Sequence, residues 1–321
     1  MDITTFKSKN FWIPGVIILV LLIALVTLPL YSSLYMVILV TAILMYTIHT
    51  VSWALFSGPS GYLSLASAAF FGIGIYTSAL LLPNTGVVLP LLVVVALGGV
   101  ISFIVALLVG FLTLRLRGIY FAIFTFGLVE LIKQVLIYYE INITGTRGRF
   151  LILVDNAHIF WVMLGIFVLL MLTSYLLRRS KFGLALKSIG ENEGAAAHRG
   201  INVTMVKVIT FAISAFFMGA TGAIIATRWT YIDPYIAFNA LFSFLPILMA
   251  IFGGMGQIYG PVVGATIFAY LEEVLLTKFP YYYMLTFGIV LVGVILFLPG
   301  GLTGLIIRLW RRILGGQHAR T

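Results

Sequence analysis

The chain contains no cysteine. That excludes a disulfide framework, a thiol nucleophile and a thiolate metal site. Charge is scarce as well. Asp, Glu, Lys and Arg make up 9% of 321 residues, against about a quarter in a soluble domain. Four histidines, His49, His158, His198 and His318, are scattered without ligand spacing, so no metal site is expected. No G-x-x-x-x-G-K-[ST] phosphate loop occurs. No stretch of about 50 residues is free to fold as a soluble catalytic or nucleotide-binding domain. No nucleophile, metal cluster or acid–base pair at one depth points to an enzyme. If ATP is used, another chain must hydrolyse it.

What is present is apolar. Hydrophobic residues make up 62% and the mean hydropathy is +1.17. Runs of about 20 apolar residues recur, each long enough to cross a hydrocarbon core. Without barrel-like alternation, such runs must be helices, which satisfy their own backbone hydrogen bonds. The pattern predicts an all-α integral membrane protein, one transmembrane domain over residues 1–321. Ten helices are expected at about 12–30, 33–56, 62–82, 89–113, 118–139, 158–177, 204–229, 236–253, 259–276 and 281–299. The run at 11–30 is longer than a signal-peptide core and is read as a retained helix. Breakers separate the helices at Ser57–Gly61, Pro83–Gly86, Asp233-Pro234, Gly253–Gly256 and Phe279-Pro280.

The net charge of +10 is read as cationic residues kept on the cytoplasmic side, not as nucleic-acid binding. With the N-terminus inside, fourteen of the nineteen Lys and Arg residues fall on one side. The other side, with the outer helix ends, holds Lys133, Arg147, Arg149, Arg228 and Lys278. The asymmetry predicts a multi-pass protein with both termini cytoplasmic.

One charged island, about 180–203 and reaching to Lys207, interrupts the apolar chain. It carries Lys181, Lys187, Glu191, Glu193, His198, Arg199 and Lys207. Leu184, Leu186 and Ile189 against Lys187, Glu191 and Glu193 predict a surface helix over about 184–199, ended by Gly200. It is either an ordinary solvated loop helix or a contact for a soluble partner. In the second case, small Ala195 and Ala196 allow close approach and the charges fix register.

These residues carry a resemblance. Glu193-Gly194-Ala195-Ala196-Ala197-His198-Arg199-Gly200-Ile201 resembles the E-x-A-A-x-x-x-G loop of ABC importer permeases. Residues 61–74, GYLSLASAAFFGIG, resemble the "GQLSLGHAAFFGIGAY" stretch of branched-chain amino acid permeases. Residues 114–125, LRLRGIYFAIFT, resemble their "LRLRGxYFAIxTL" stretch, and residues 252–265, FGGMGQIYGPVVGA, their "GGxGSxxGPxxGA". The matches lie in order and span about 58 to 275. Together they identify the chain as similar to the LivM-like permease subunits of that family. Tyr62, Ser67 and Ile119 depart from its usual Gln, His and acidic residue, which leaves the substrate open.

The resemblance implies a type II ABC importer-like permease fold in the bacterial inner membrane. It implies a homologous second permease, two cytoplasmic ATPase subunits and an extracytoplasmic solute-binding protein as partners. ATP and Mg²⁺ would be bound by the ATPases and no cofactor by this chain. The island would be the coupling helix, through Lys187, Glu191, Glu193, Ala195, Ala196, Arg199 and Gly200. The cargo would be branched-chain or similar hydrophobic amino acids; urea, short amides or aromatic acids are alternatives within the family. An ion-coupled secondary transporter is the rival class. It should place ionisable residues deep in several helices, and this sequence has few.

Other residues are singled out by physics. Gly61, Ser64, Ser67 and Gly72 lie in a small-residue surface that either packs helices closely or lines a path. Tyr120 and Thr125 fall in the second matched stretch. Glu130, with Lys133 at i+3, either forms a local ion pair or serves the pathway or subunit interface. Glu272 and Glu273 are a solvated helix end or a partner contact. Gly253, Gly254, Gly256, Gly260 and Pro261 make a tight turn or a gating hinge.

Overall fold

The computed structural model describes residues 12–82, 90–116 and 118–282, with 285, 288, 289 and 292 beyond them. Most of the expected helix at 281–299, the Pro83–Gly86 turn and the basic residues of both termini lie outside the described residues. Helices dominate: α1 Trp12–Tyr31, α2 Leu34–Ser60, α3 Ser67–Leu81, α4 Leu91–Thr113, α5 Ile119–Tyr139, α6 Asn156–Arg179, α7 Lys181–Glu191, α8 Glu193–His198, α9 Val203–Ala226, α10 Pro234–Ala237, α11 Leu241–Gly253 and α12 Tyr259–Lys278. Seven stretches are long and apolar enough to span a membrane: α2, α4, α5 with the following turn, α6, α9, α10–α11 and α12. Leu22–Tyr31 of α1 and the whole of α3 count as shorter apolar helices. These nine correspond to the first nine runs expected from sequence.

Helix α9 is the centre, with 83% of its apolar window buried. It packs against α3 and α4, and α2 joins it to α6, α11 and α12. The close approach comes from missing side chains. A Cβ on Gly74 would overlap the Gly219 carbonyl, and one on Gly219 would overlap the Ser102 hydroxyl. With backbones that near, Ser78 Oγ donates to Ala223 O at 2.7 Å and Ser102 Oγ to Phe70 O at 3.1 Å. Small residues and interhelical hydroxyl bonds replace the hydrophobic drive that lipid does not supply.

At the far end from α7 and α8, α5 runs into a π-helical turn, Glu140–Thr144. A two-residue strand, β1 Arg149–Phe150, pairs antiparallel with β2 Tyr231–Ile232. Glu140 is 1% exposed. It accepts from Tyr76 Oη at 3.1 Å and Gly148 N at 2.9 Å, with Arg149 Nε at 3.9 Å. A buried carboxylate thus closes this end of the bundle.

Three local expectations are corrected. The breaker at Ser57–Gly61 is absorbed into α2, because the fixed φ of Pro59 is helical and only one hydrogen bond is lost near the helix end. The turn falls at Gly61, whose φ of 70° needs no Cβ. Helix three starts at Ser67, not 62, and residues 61–66 are extended or irregular. The run expected at 236–253 splits at 238–240 into α10 and α11, where the Phe238 ring drops over Gly72; a Cβ on Gly72 would overlap it.

Candidate functional site

The charged island folds as two helices, not one. Ser180 caps α7, its Oγ accepting from Gly183 N at 3.3 Å. Asn192 is extended at φ −159° and caps α8, its Oδ1 accepting from Ala195 N at 3.0 Å. The chain therefore bends at Asn192 into an elbow. Leu186, Ile189, Ala196 and Val206 form the small core beneath it. A Cβ on Gly190 would overlap the Pro59 carbonyl, so α7 lies directly on the end of α2. Gly200, at φ 80°, turns the chain into α9.

The elbow sorts the expected contact residues by direction. Lys187, Glu191, Ala195 and Arg199 are exposed. Ala196 is 2% exposed and faces the core, so it is not free for a partner's groove. Its direction is set by Leu186 and Ile189 on α7 and Val206 on α9. Glu193 is also turned inward. Its Oε1 accepts from Lys207 Nζ at 3.1 Å and its Oε2 from Tyr62 Oη at 2.7 Å.

Lys207 is the surprise of the site. Read as part of the charged island, it is instead 2% exposed, inside α9. Its ammonium donates to Glu193 Oε1, to Leu114 O at 2.9 Å and to Tyr62 Oη at 3.1 Å. It also stands 4.5 Å from the centre of the Tyr62 ring. A buried ammonium with a carboxylate, a carbonyl and a hydroxyl has its donors met. One ion therefore ties α8, the end of α4, the start of α9 and Tyr62 together. The signal was in the sequence: a lysine four residues into an apolar helix must have a partner.

Tyr62 lies near the start of the non-helical segment 61–66. Non-helical backbone within an apolar bundle must find its hydrogen bonds elsewhere. Here they come from side chains on three helices. Trp53 Nε1 on α2 donates to Ser64 O at 2.8 Å. Thr125 Oγ1 on α5 accepts from Leu65 N at 3.0 Å. Ser243 Oγ on α11 donates to Leu65 O at 2.7 Å and accepts from Ala68 N at 3.1 Å. Ser64 and Ser67 are buried in one narrow crevice with Ser57, Phe56, Phe70 and Phe211. They do not share a helix face, because Ser64 precedes the helix. Ser57 and Ser67 hydroxyls are buried there without a hydrogen-bond partner.

The remaining residues lie apart from this cluster. Tyr120 is 75% exposed on the outside of α5. Glu130 takes Lys133 Nζ at 2.6 Å on the same helix. Glu272 and Glu273 accept from Tyr46 Oη at 3.4 Å and Tyr35 Oη at 3.2 Å, both on α2. In the α11–α12 turn, a Cβ on Gly253 would overlap the Gly260 carbonyl, and one on Gly260 the Gly254 carbonyl. Gly254 has φ 95°. Pro261 is buried in the first turn of α12, and Gly256 lies in the exposed turn. The turn is a backbone-to-backbone clasp. Among the described residues no group of His, Cys, Asp and Glu could hold a metal ion.

A multi-pass helical bundle with a charged elbow tied to its interior defines the class: a multi-pass membrane protein with a polar contact surface at one end. Comparison gives the family. Residues 35–295 match the model for the branched-chain amino acid transport system permease component. The chain belongs to that family of ABC transport permeases, which are not themselves enzymes. It is 29% identical to the high-affinity branched-chain amino acid transport system permease protein LivM of Salmonella typhimurium, over 94% of this chain and 76% of that protein. It is 27% identical to LivM of Escherichia coli over the same shares. A shorter match, 28% identical over 42% of this chain and 43% of the other, is to the ribose import permease protein RbsC of Haemophilus influenzae. No solved structure matches significantly. Membership in the family implies ATPase and substrate-binding partners.

Proposed function

We propose that this chain is one of two homologous permease subunits of an ATP-driven importer of branched-chain or similarly hydrophobic amino acids. The observation that carries the reading is the elbow. Its outer side presents Lys187, Glu191, Ala195 and Arg199, while its inner side is tied through Glu193 and Lys207 to Tyr62. A cytoplasmic ATPase pair, binding ATP and Mg²⁺, docks on the outer side. Its closure moves the elbow, and the ion pair carries that displacement to the non-helical segment among the helices. The two arrangements thus differ in contacts, which a switch requires. Both termini and the elbow face the cytoplasm, in the inner membrane.

The partner permease is supported by α5. It is the least buried of the spans, with 22% of its window buried. Its exposed positions include Tyr120 and Gln134. An exposed amide inside a span is costly against lipid, and a second permease seated on this face removes that cost. Substrate handed over by an extracytoplasmic binding protein passes between the two permeases.

The test is reconstitution of this chain with a sister permease, the ATPases and the binding protein in liposomes. Uptake of labelled leucine should require ATP and every subunit, and should survive collapse of proton and sodium gradients. Uptake driven by an ion gradient without ATP would overturn the reading.

A further inference from the structure

A groove on the wall of the bundle is separate from the outer side of the elbow and from α5. Helices α4 and α9 run antiparallel: a Cβ on Gly98 would meet Ala223, and one on Gly110 would meet Phe211. Toward the elbow neither helix has a further glycine, and a groove of about 450 Å3 runs between them. Every residue lining it belongs to these two helices and is apolar; Leu108, Phe111 and Leu112 of α4 and Met205 of α9 are the most exposed. A pocket for a polar small molecule carries placed polar groups, and these walls have none. From Leu107 to Thr113 α4 rises about 9 Å, so the groove fits within one leaflet of a core about 30 Å thick.

Arg115 stands at the elbow end of this groove. It is exposed, and its guanidinium carbon is 5.8 Å from the centre of the Phe111 ring, part of the groove wall. That ring is its only side-chain partner among the described residues. The preceding residue, Leu114, accepts from Lys207 Nζ at 2.9 Å, so this end of the groove adjoins the base of the elbow.

We propose that the groove binds an anionic glycerophospholipid. One acyl chain lies along Leu108, Leu112 and Val208, and the phosphate pairs with Arg115, whose planar fork suits it. The groove alone would take any hydrocarbon chain; the guanidinium at its end supplies the preference for negative charge. A span of another subunit fits less well. The walls hold none of the small residues that let spans approach closely, and no α5 residue lines the groove. The bound headgroup steadies the end of α4, where Leu114 holds the ammonium of Lys207. The inference needs only that the bundle spans a membrane; it does not depend on the cargo or on the direction of transport.

The experiment uses the assembled transporter in phosphatidylcholine nanodiscs with a trace of phospholipid carrying a photoreactive acyl chain. Illumination should label peptides holding 107–112 and 205–209. A phosphatidylglycerol probe should label them more than a phosphatidylcholine probe, and unlabelled phosphatidylglycerol should compete in a saturable way. Arg115→Gln should weaken that competition about fivefold, the loss of one cation at an anionic surface, and Arg115→Lys should keep most of it. Leu108→Trp, which places a ring in the groove from an exposed position, should lower labelling by both probes. Phosphatidylglycerol should raise the thermal midpoint of the wild type, and raise it less in Arg115→Gln. Equal labelling by the two probes would leave only the ordinary lipid shell and overturn the proposal. So would a preference that survives Arg115→Gln, or an unlabelled groove in the assembled transporter, which would assign it to a subunit contact. A thermal midpoint indifferent to phosphatidylglycerol would overturn the link to Lys207.

Discussion

Glu193→Gln isolates the ion at the heart of the elbow. The change keeps the shape of the side chain and leaves Lys207 charged at 2% exposure. Removing one partner of a buried ion pair costs about 3–5 kcal/mol. Lys207 keeps Leu114 O at 2.9 Å and Tyr62 Oη at 3.1 Å, so the loss falls at the lower end, about 3 kcal/mol. Lys207→Met keeps the aliphatic stem and deletes the charge. Glu193 is 21% exposed and can turn to water, so this change costs less, about 1–2 kcal/mol. The double variant carries no unpaired charge and should be more stable than Glu193→Gln alone, with a coupling energy of about 2 kcal/mol. The assay is thermal unfolding of the purified permease pair, with leucine uptake measured on the same preparations. If the pair also transmits motion, the double variant regains stability without regaining uptake. Unchanged stability and uptake in Glu193→Gln, or two costs that simply add, would refute the reasoning.

Three further outcomes are expected. Gly190→Ala should force α7 off the Pro59 carbonyl, cost about 1–3 kcal/mol as overpacking does, and reduce ATPase stimulation by the binding protein; normal stimulation at normal abundance would show the contact to be dispensable. Glu130→Gln should lower uptake by stranding Lys133, its partner at 2.6 Å, and adding Lys133→Met should restore it; persistent loss in the double variant at wild-type abundance would place Glu130 in the pathway or the subunit interface. A cysteine at Ser188 should resist impermeant thiol reagents added outside intact cells, and its labelling from outside would reverse the orientation drawn from the basic residues.

The spans were legible because apolar runs and their breakers are local properties. The helices from α4 to α6 end within a few residues of the positions expected from hydropathy alone. The site was legible only in part. Glu193 and Gly200 stood out by pattern, but the inward turn of Ala196 depends on Leu186, Ile189 and Val206 from two other helices. The non-helical segment 61–66 was hidden for a similar reason. Leu63 and Leu65 keep its hydropathy high, while its hydrogen bonds come from Trp53, Thr125 and Ser243, up to 178 residues away. Hydropathy reports burial; it does not report which side chains will serve a backbone that is not helical. Lys207 differs: its depth in an apolar run was visible, and only its grouping with the exposed island charges obscured it.

The proposed switch requires backbone that can move inside a rigid bundle. A helix in a membrane holds its backbone by its own i to i−4 bonds, and breaking them in lipid costs several kcal/mol for each unsatisfied group. The backbone at Ser64 and Leu65 is held differently, by side chains belonging to α2, α5 and α11. Side-chain partners can shift with their helices, so this segment can be repositioned without unwinding a span. Near its start is Tyr62, the residue that meets Glu193 and Lys207. The non-helical backbone of 61–66 is therefore fastened to the elbow through Glu193 and the buried Lys207. Under the proposed function, a displacement of α8 enters the interior through this tie, while α3, α4 and α9 stay packed through their glycine contacts.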